Sequence, residues 1–323
     1  LDRVDKMLLD RLQEEFPLER KPWDTLGADL GISGGEVLER VRTLKSRGII
    51  RQISPIFDTR ALGYESSLVA AAVDSERIEE AASVINEHPG VSHNYERNHR
   101  FNLWFTVAVP PGVSLEEEVA ALAKKAGIEK YRLLPTIRLF KIGVRLKIGG
   151  GGRRPSEHSA PRAKRKAPPL SPRDREFVRV LQEDIPLVEE PFADAAERLG
   201  VAQEEVFSWL KLARENGWMR RFAAVFRHRK VGFVANGMVC WRVPEGWIEE
   251  AGRKAAEFPE VSHCYQRPTY PDWPYNLFTM VHGRSREECE AVAERISSAI
   301  GVEDYTILYS TREFKKERVR YFA

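Results

Sequence analysis

The chain of 323 residues contains its own plan twice. Pro17 matches Pro186, Pro22 matches Pro191, Leu30-Gly31 matches Leu199-Gly200, Gly48 matches Gly217 and Phe57 matches Phe226, all 169 positions apart. The offset is 170 where Val91-Ser92-His93 meets Val261-Ser262-His263. After an inserted stretch, PTYPDWPY, it is 174, aligning Asn102-Leu103 with Asn276-Leu277 and Arg138, Phe140 and Lys141 with Arg312, Phe314 and Lys315. Repetition at this scale marks a tandem fusion, so what one half folds into the other must fold into as well.

Each half opens with helical periodicity. In the first, Met7, Leu8, Leu12 and Phe16 form one apolar stripe, Leu26, Leu30 and Ile32 follow, and Val37, Leu38, Val41 and Leu44 form another before Gly48 stops the last helix. Three short helices with a glycine-bearing turn read as a winged helix-turn-helix. The remainder alternates as strands do. IIRQISPIF and SSLVAAAV lead to a helix over 76–88, strands over 91–98 and 101–109, a helix over 114–126 and a final strand near 130–139. That order, βαββαβ, is ferredoxin-like. The expected fold is α+β, a tandem duplication of a winged helix-turn-helix (1–48 and 172–217) plus a ferredoxin-like domain (49–147 and 218–323), joined by a linker over 148–171.

The linker, IGGGGRRPSEHSAPRAKRKAPPLSP, lacks an apolar period and reads as a flexible tether. Between Gly149 and Pro172 six basic residues face only Glu157, a net +5 that leaves −2 on the rest of a chain whose total is +3. The folded parts are thus slightly acidic, a poor footprint for binding DNA phosphates. Hydrophobic content of 42% and charged content of 31% fit a globular protein. No run of about 18 apolar residues exists to cross a bilayer. No charged-then-apolar leader opens the sequence, so the expected compartment is the cytoplasm. Cys240, Cys264 and Cys289 make no CxxC pair, which gives poor support to a disulfide framework, a zinc knuckle or an iron–sulfur cluster.

Helix-turn-helix plus ferredoxin-like domain resembles the Lrp/AsnC family of amino-acid-responsive regulators. The third helix of such a protein enters the major groove and needs cationic or amide side chains near its start. The second half offers Glu204 and Glu205 there, with Phe207 and Trp209 expected to pack inward. The first half, with Arg40, Arg42 and Lys45, is less hostile to phosphate and keeps a DNA-binding regulator as the runner-up. Nucleic acid is not the expected partner.

The stretch VSHNYERNHRFNLWFT puts His93, Tyr95 and Arg97 on one face of a strand, and VSHCYQRP repeats the row as His263, Tyr265 and Arg267. An arginine is seldom buried beneath the helices of such a sheet without a partner. The row is therefore expected on the open sheet face, where the halves pair as a pseudo-dimer and enclose a ligand. Arg51, Arg220, Arg221, Arg138, Arg312, Lys141 and Lys315 add cations, and forked guanidinium groups converging on one cleft point to a polyanionic ligand. For any one of these cations alone, a surface ion pair is the plainer role.

YERNHRFNLWFT and HCYQRPTYPDWPYNLFTMVHGR look like the paired subunits of the siroheme decarboxylase family joined in one chain. The resemblance implies removal of carboxyl groups from the C12 and C18 acetate arms of siroheme, giving 12,18-didecarboxysiroheme for haem or haem d1 synthesis. It implies no added cofactor, since the iron belongs to the substrate. In that setting His99, His93 and His263 are the expected proton donors or axial iron contacts, because imidazole titrates near neutral pH. Arginines would hold the other carboxylates, while Trp104, Phe101, Tyr270 and Trp273 would cover the ring. His99 has no counterpart in the second half, where Thr269 and Tyr270 stand. His228 and His282 occur only in the second half, and His282 is expected at the surface. His88 reads as structural and His158 as a linker residue. A tetrapyrrole sensor without chemistry, and a homo-oligomer of the pseudo-dimer, are also open.

Overall fold

A computed structural model describes residues 1–142, 167–226 and 235–323. Most of the linker, including His158, and also His228, lie outside the described residues. The first half runs α1 (Arg3–Glu14), α2 (Pro22–Leu30), α3 (Gly34–Ser46), β1 (Ile50–Phe57), β2 (Glu65–Ala72), α4 (Ile78–Glu87), β3 (Val91–Arg97), β4 (Leu103–Val109), α5 (Leu115–Lys125), β5 (Lys130–Pro135) and β6 (Arg138–Ile142). The second runs α6 (Pro172–Leu181), α7 (Ala193–Leu199), α8 (Gln203–Glu215), β7 (Met219–Phe226), β8 (Ala235–Trp241), α9 (Ile248–Glu257), β9 (Val261–Gln266), β10 (Leu277–Gly283), α10 (Arg286–Ile300) and β11 (Tyr305–Lys316). The duplication reaches the helix ends. Capping boxes built on Asp2 with Asp5 and on Ser171 with Asp174 start α1 and α6. Left-handed Gly31 and Gly200, at φ 72° and 63°, end α2 and α7.

The described residues form two compact units that follow domain type rather than chain order. One holds both three-helix domains, residues up to Tyr64 and from the linker into β7, together with the last four residues. Within it β1 and β7 pair antiparallel as a two-stranded ribbon. Phe16, just past the end of α1, packs on Phe222 of β7 at 5.6 Å, and its amide donates to the Phe222 carbonyl. The second half's aromatics pack inward as expected: Trp209 stacks on Phe177 at 5.0 Å and donates to Asp174.

The other unit holds both ferredoxin-like parts in one nine-stranded sheet, ordered β5-β2-β4-β3-β11-β8-β10-β9-β6. A single strand was expected near 130–139. Instead the chain breaks at Thr136-Ile137, and β6 crosses to pair with β9 of the other half. β11 does the reciprocal without a break, pairing first with β8 and then with β3. Because β5 and β6 are neighbours in the chain yet opposite ends of the sheet, the sheet curls until its ends meet.

That curl gives three apolar layers. Leu103, Phe105 and Val107 of β4 face α4 and α5, and Leu277 and Val281 of β10 face α9 and α10. The intervening residues face inward, so Ala70, Phe101, Trp104 and Leu134 of one half meet Met238, Cys240, Phe278 and Leu308 of the other. Strands buried on both faces carry nearly continuous apolar runs, as LWFTVAV does. Trp273, from the insertion that only the second half has, is fully buried in this inner layer, 5.2 Å from Trp104 and 5.9 Å from Phe101. Phe140 of the exchanged β6 lies flat against Gly252 of α9, where even a methyl group has no room. Trp273→Ala is expected to cost about 3–5 kcal/mol of unfolding free energy, the usual range for emptying a buried aromatic site. Denaturant titration measures it, and a loss under about 1 kcal/mol would mean the insertion is not part of the core.

Candidate active site

Each half contributes one His-Tyr-Arg row to the inner layer. On β3 and on β9 the strand pairing slips by one residue, at Ser92 and at Ser262. A slip of this kind re-aims side chains. Each serine hydroxyl meets the ring of the next residue, Ser92 Oγ to His93 Nδ1 at 2.9 Å and Ser262 Oγ to His263 Nδ1 at 2.7 Å. Tyr95 lies beside His93 at 6.2 Å, and Tyr265 beside His263 at 6.0 Å. Arg97 then sits over the Tyr95 ring at 5.6 Å and Arg267 over Tyr265 at 4.9 Å. Both arginines reach into the opposite half: Arg97 Nη1 donates to the Leu308 carbonyl at 3.0 Å, and Arg267 Nη1 donates to the Leu134 carbonyl.

Arg97 is only 7% exposed. Among the described residues no carboxylate pairs with it, and its Nε–H finds no acceptor. Burial pulls its pKa down to about 10, with Cys240 and Tyr95 opposing. A cation held in that state costs folding energy unless an anion joins it. The expectation that an arginine would not be buried beneath the helices holds, since the row faces the layer between the halves. The layer is packed more tightly than an open cleft, however.

A second cluster forms where the 98–102 turn of the first half meets the insertion of the second. The His99 ring is half-buried, 6.1 Å from Phe101 and 5.3 Å from Trp273. Its Nδ1 accepts from the Phe101 amide at 3.0 Å, so in the neutral ring the proton sits on Nε2. Burial, and then the neighbouring Arg100, lower its pKa below 6.5. Asp272 anchors the insertion through Arg132, with both bonds at 2.9 Å, and through Lys130 at 3.0 Å. The Arg132 bond leads in holding Asp272 down to about 2. Tyr270 donates to the Leu133 carbonyl at 2.6 Å and takes Arg132 over its ring. An open depression of about 400 Å³ beside it is lined by Arg242, Thr269, Tyr270, Pro271 and Pro274. Among the described residues no histidine lines it.

The remaining expected residues do other things. Trp104 is enclosed in the core and donates to the Phe101 carbonyl, so it is not placed to cover a ring. Arg312 pairs with Glu96 and Glu79, and Arg138 with Glu249. Lys141 donates to the Phe258 carbonyl and Lys315 to that of Asn86. These four cations fasten the exchanged strands β6 and β11. Arg220 pairs with Asp58, and Arg51 and Arg221 also belong to the unit of three-helix domains. His88 bridges Glu118 and the Gly90 amide, a structural role as expected.

His282, expected at the surface, is half-buried and bonded on both nitrogens, to Ser262 Oγ at 2.6 Å and to Asn236 Oδ1 at 2.6 Å. The signal for it was available: Phe278, Met280 and His282 alternate along β10, which places the ring on the inward face.

The cations that favoured DNA binding are also engaged. Arg40 bonds Asp2, Asp5 and Glu36, and Lys45 pairs with Asp184. Arg42 pairs with Glu39 and reaches the Leu187 carbonyl, and on α8 Glu204 pairs with Arg20.

Comparison with known proteins agrees with the duplication. Residues 5–51 and 174–220 match the siroheme decarboxylase NirDL-like HTH domain, and residues 61–141 and 230–315 match the AsnC-like ligand binding domain. Siroheme decarboxylase of Hydrogenobacter thermophilus is 45% identical over 98% of this chain and 94% of its own. The siroheme decarboxylase beta subunit of Methanosarcina barkeri is 52% identical over 46% of this chain and 97% of its own. A crystal structure of siroheme decarboxylase NirDL in complex with an iron-uroporphyrin III analogue superposes with TM-score 0.77 at 40% identity, covering 100% of this chain and 95% of that one.

The lowered pKa of His99 has a measurable consequence. Between its folded pKa and 6.5 the unfolded chain binds the extra proton, so stability falls as pH drops through that window. Ring NMR should show His99 titrating below 6.5, and His99→Gln should lose that part of the acid destabilisation. A midpoint above 6.5 would mean that an anion, not burial, governs the ring.

Proposed function

The chain belongs to the siroheme decarboxylase family, and from that premise we propose that it is a carboxy-lyase acting on siroheme. It removes CO2 from the C12 and C18 acetate arms to give 12,18-didecarboxysiroheme, a step toward haem or haem d1. It needs no cofactor of its own, because the iron enters with the substrate. The observation that carries the reading is Arg97: a buried guanidinium without a carboxylate partner among the described residues, flanked by two matched histidine rows.

The chemistry asks for three things. The carbon–carbon bond of an acetate arm breaks, CO2 leaves, and the electron pair stays on the carbon attached to the pyrrole, where the macrocycle disperses it. That carbon then takes one proton and becomes a methyl group. Arg97 and Arg267 supply the first requirement, holding carboxylates that do not react so that the reactive arm is fixed in place. The inner layer supplies the second, since a carboxylate shielded from water loses CO2 more readily than a hydrated one. His93 and His263 supply the third.

The three imidazoles differ in what they can offer. His99 has committed its Nδ1 lone pair within its own turn, so its Nε2–H is suited to donating a hydrogen bond rather than to ligating iron. His93 and His263 each bond a serine hydroxyl through Nδ1, and because that hydroxyl can either donate or accept, the bond fixes neither ring in one tautomer. They are therefore assigned as the proton donors.

Anaerobic incubation with siroheme followed by mass analysis should show two successive losses of CO2. Siroheme that binds and stays intact would leave only a carrier or sensor. His263→Ala is expected to retain binding while slowing turnover about a hundredfold, the usual scale for one acid–base group. Undiminished turnover would remove that ring from the reaction.

A further inference from the structure

We propose that Asn236, His282, Ser262 and His263 form a proton relay, with His282 as the store and His263 as the group that meets the substrate; this rests on the decarboxylase reading above. The four residues cross three adjoining strands. Asn236 of β8 stands opposite His282 of β10, and Ser262 and His263 follow on β9. The links are 2.6 Å from Asn236 Oδ1 to His282 Nδ1, 2.6 Å from His282 Nε2 to Ser262 Oγ, and 2.7 Å from Ser262 Oγ to His263 Nδ1. Ser262 is buried, so its hydroxyl exchanges protons with these rings rather than with bulk water. Among the described residues its further hydrogen bond, to the Met280 carbonyl at 3.4 Å, is much longer.

The donors can be assigned along the chain. An amide oxygen only accepts, so His282 Nδ1 carries a proton. When His282 holds both ring protons, its Nε2–H donates to Ser262 Oγ. The serine O–H then points at His263 Nδ1, and the His263 proton lies on Nε2. In this state His263 is a donor. When His282 is neutral, the serine O–H turns toward His282 Nε2, His263 keeps its proton on Nδ1, and its Nε2 can only accept. The charge on His282 thus decides which way a ring two residues along the relay faces the reaction.

The step balances. His263 Nε2–H passes its proton to the substrate carbon as the C–C bond electrons are released, and the new C–H bond forms. Ser262 gives its hydroxyl proton to His263 Nδ1, and His282 Nε2–H restores the hydroxyl. His282 ends neutral, still bonded to Asn236, and one proton has been consumed per CO2 lost.

The first half lacks this device. Ser66 and Ala108 stand opposite each other where Asn236 and His282 do in the second, so among the described residues no second imidazole stands behind Ser92. The duplicated rows are therefore unequal as proton sources. His282→Gln tests the relay, since a glutamine amide can bond Ser262 but cannot pass a proton through itself. Single-turnover decarboxylation of siroheme is followed anaerobically in mixtures of H2O and D2O. In the native protein the rate should curve with deuterium fraction, because several protons move together. In His282→Gln it should fall about a hundredfold and become linear, with siroheme affinity, read by absorbance, unchanged. Ser262→Ala, which removes one oxygen, should give the same line and serves if the glutamine variant does not fold. A native rate and curve in either variant overturns the relay. Native protein that leaves siroheme intact overturns the decarboxylase reading instead, and full activity in His263→Ala overturns only the choice of that ring as the relay's end.

Discussion

One buried positive charge organises the inner layer. Arg97 has given up water for a backbone carbonyl, the face of Tyr95 and little else among the described residues. Evolution rarely keeps such an arrangement for stability, since an apolar side chain of similar volume would pack there at lower cost. The carbonyl belongs to Leu308 on β11, and in the mirrored row Arg267 uses Leu134 on β5. Each guanidinium is thus positioned by the half that does not contain it. The rows are held in place by the exchange of strand ends, which explains why Arg138, Lys141, Arg312 and Lys315 are spent on fastening β6 and β11.

The same exchange makes duplication useful. Two identical halves would offer two identical rows, but fusion into one chain lets each half change alone. Only the second half has the 268–275 insertion, which sends Trp273 into the shared core and ties Asp272 to Arg132 and Lys130 of the first. His282 and Asn236 likewise have no equivalent in the first half, where Ala108 and Ser66 stand. The first half alone has His99, packed against that inserted tryptophan. A substrate with two reactive acetate arms, as proposed above, would be asymmetric too, and unequal rows would present distinct groups to each arm.

Much of this was legible in the sequence. The nearly constant offset exposed the duplication, helical stripes placed the three-helix domains, and period-two spacing put His93, Tyr95 and Arg97 on one face. Three features were not. The run 130–139 reads as one strand because nothing local marks Thr136-Ile137 as the point where the chain leaves its own half. The uses of Arg138 and Arg312 depend on Glu249 and Glu79, more than a hundred residues away, and charge alone cannot separate a substrate clamp from a strand fastener. His282 was misplaced for a different reason: the apolar alternation of β10 was visible, but a lone polar residue near a strand end is more often at the surface.

If Arg97 carries a folding cost that substrate carboxylates repay, removing its charge at constant volume separates the two effects. Arg97→Met keeps the volume and removes the charge, and thermal unfolding of native and variant proteins, with and without siroheme under anaerobic conditions, measures both sides. The variant should be at least as stable as the native protein alone and should lose most of the stabilisation that siroheme confers. A variant that is weaker alone yet gains as much from siroheme as the native chain would show that Arg97 supports the fold and not the ligand.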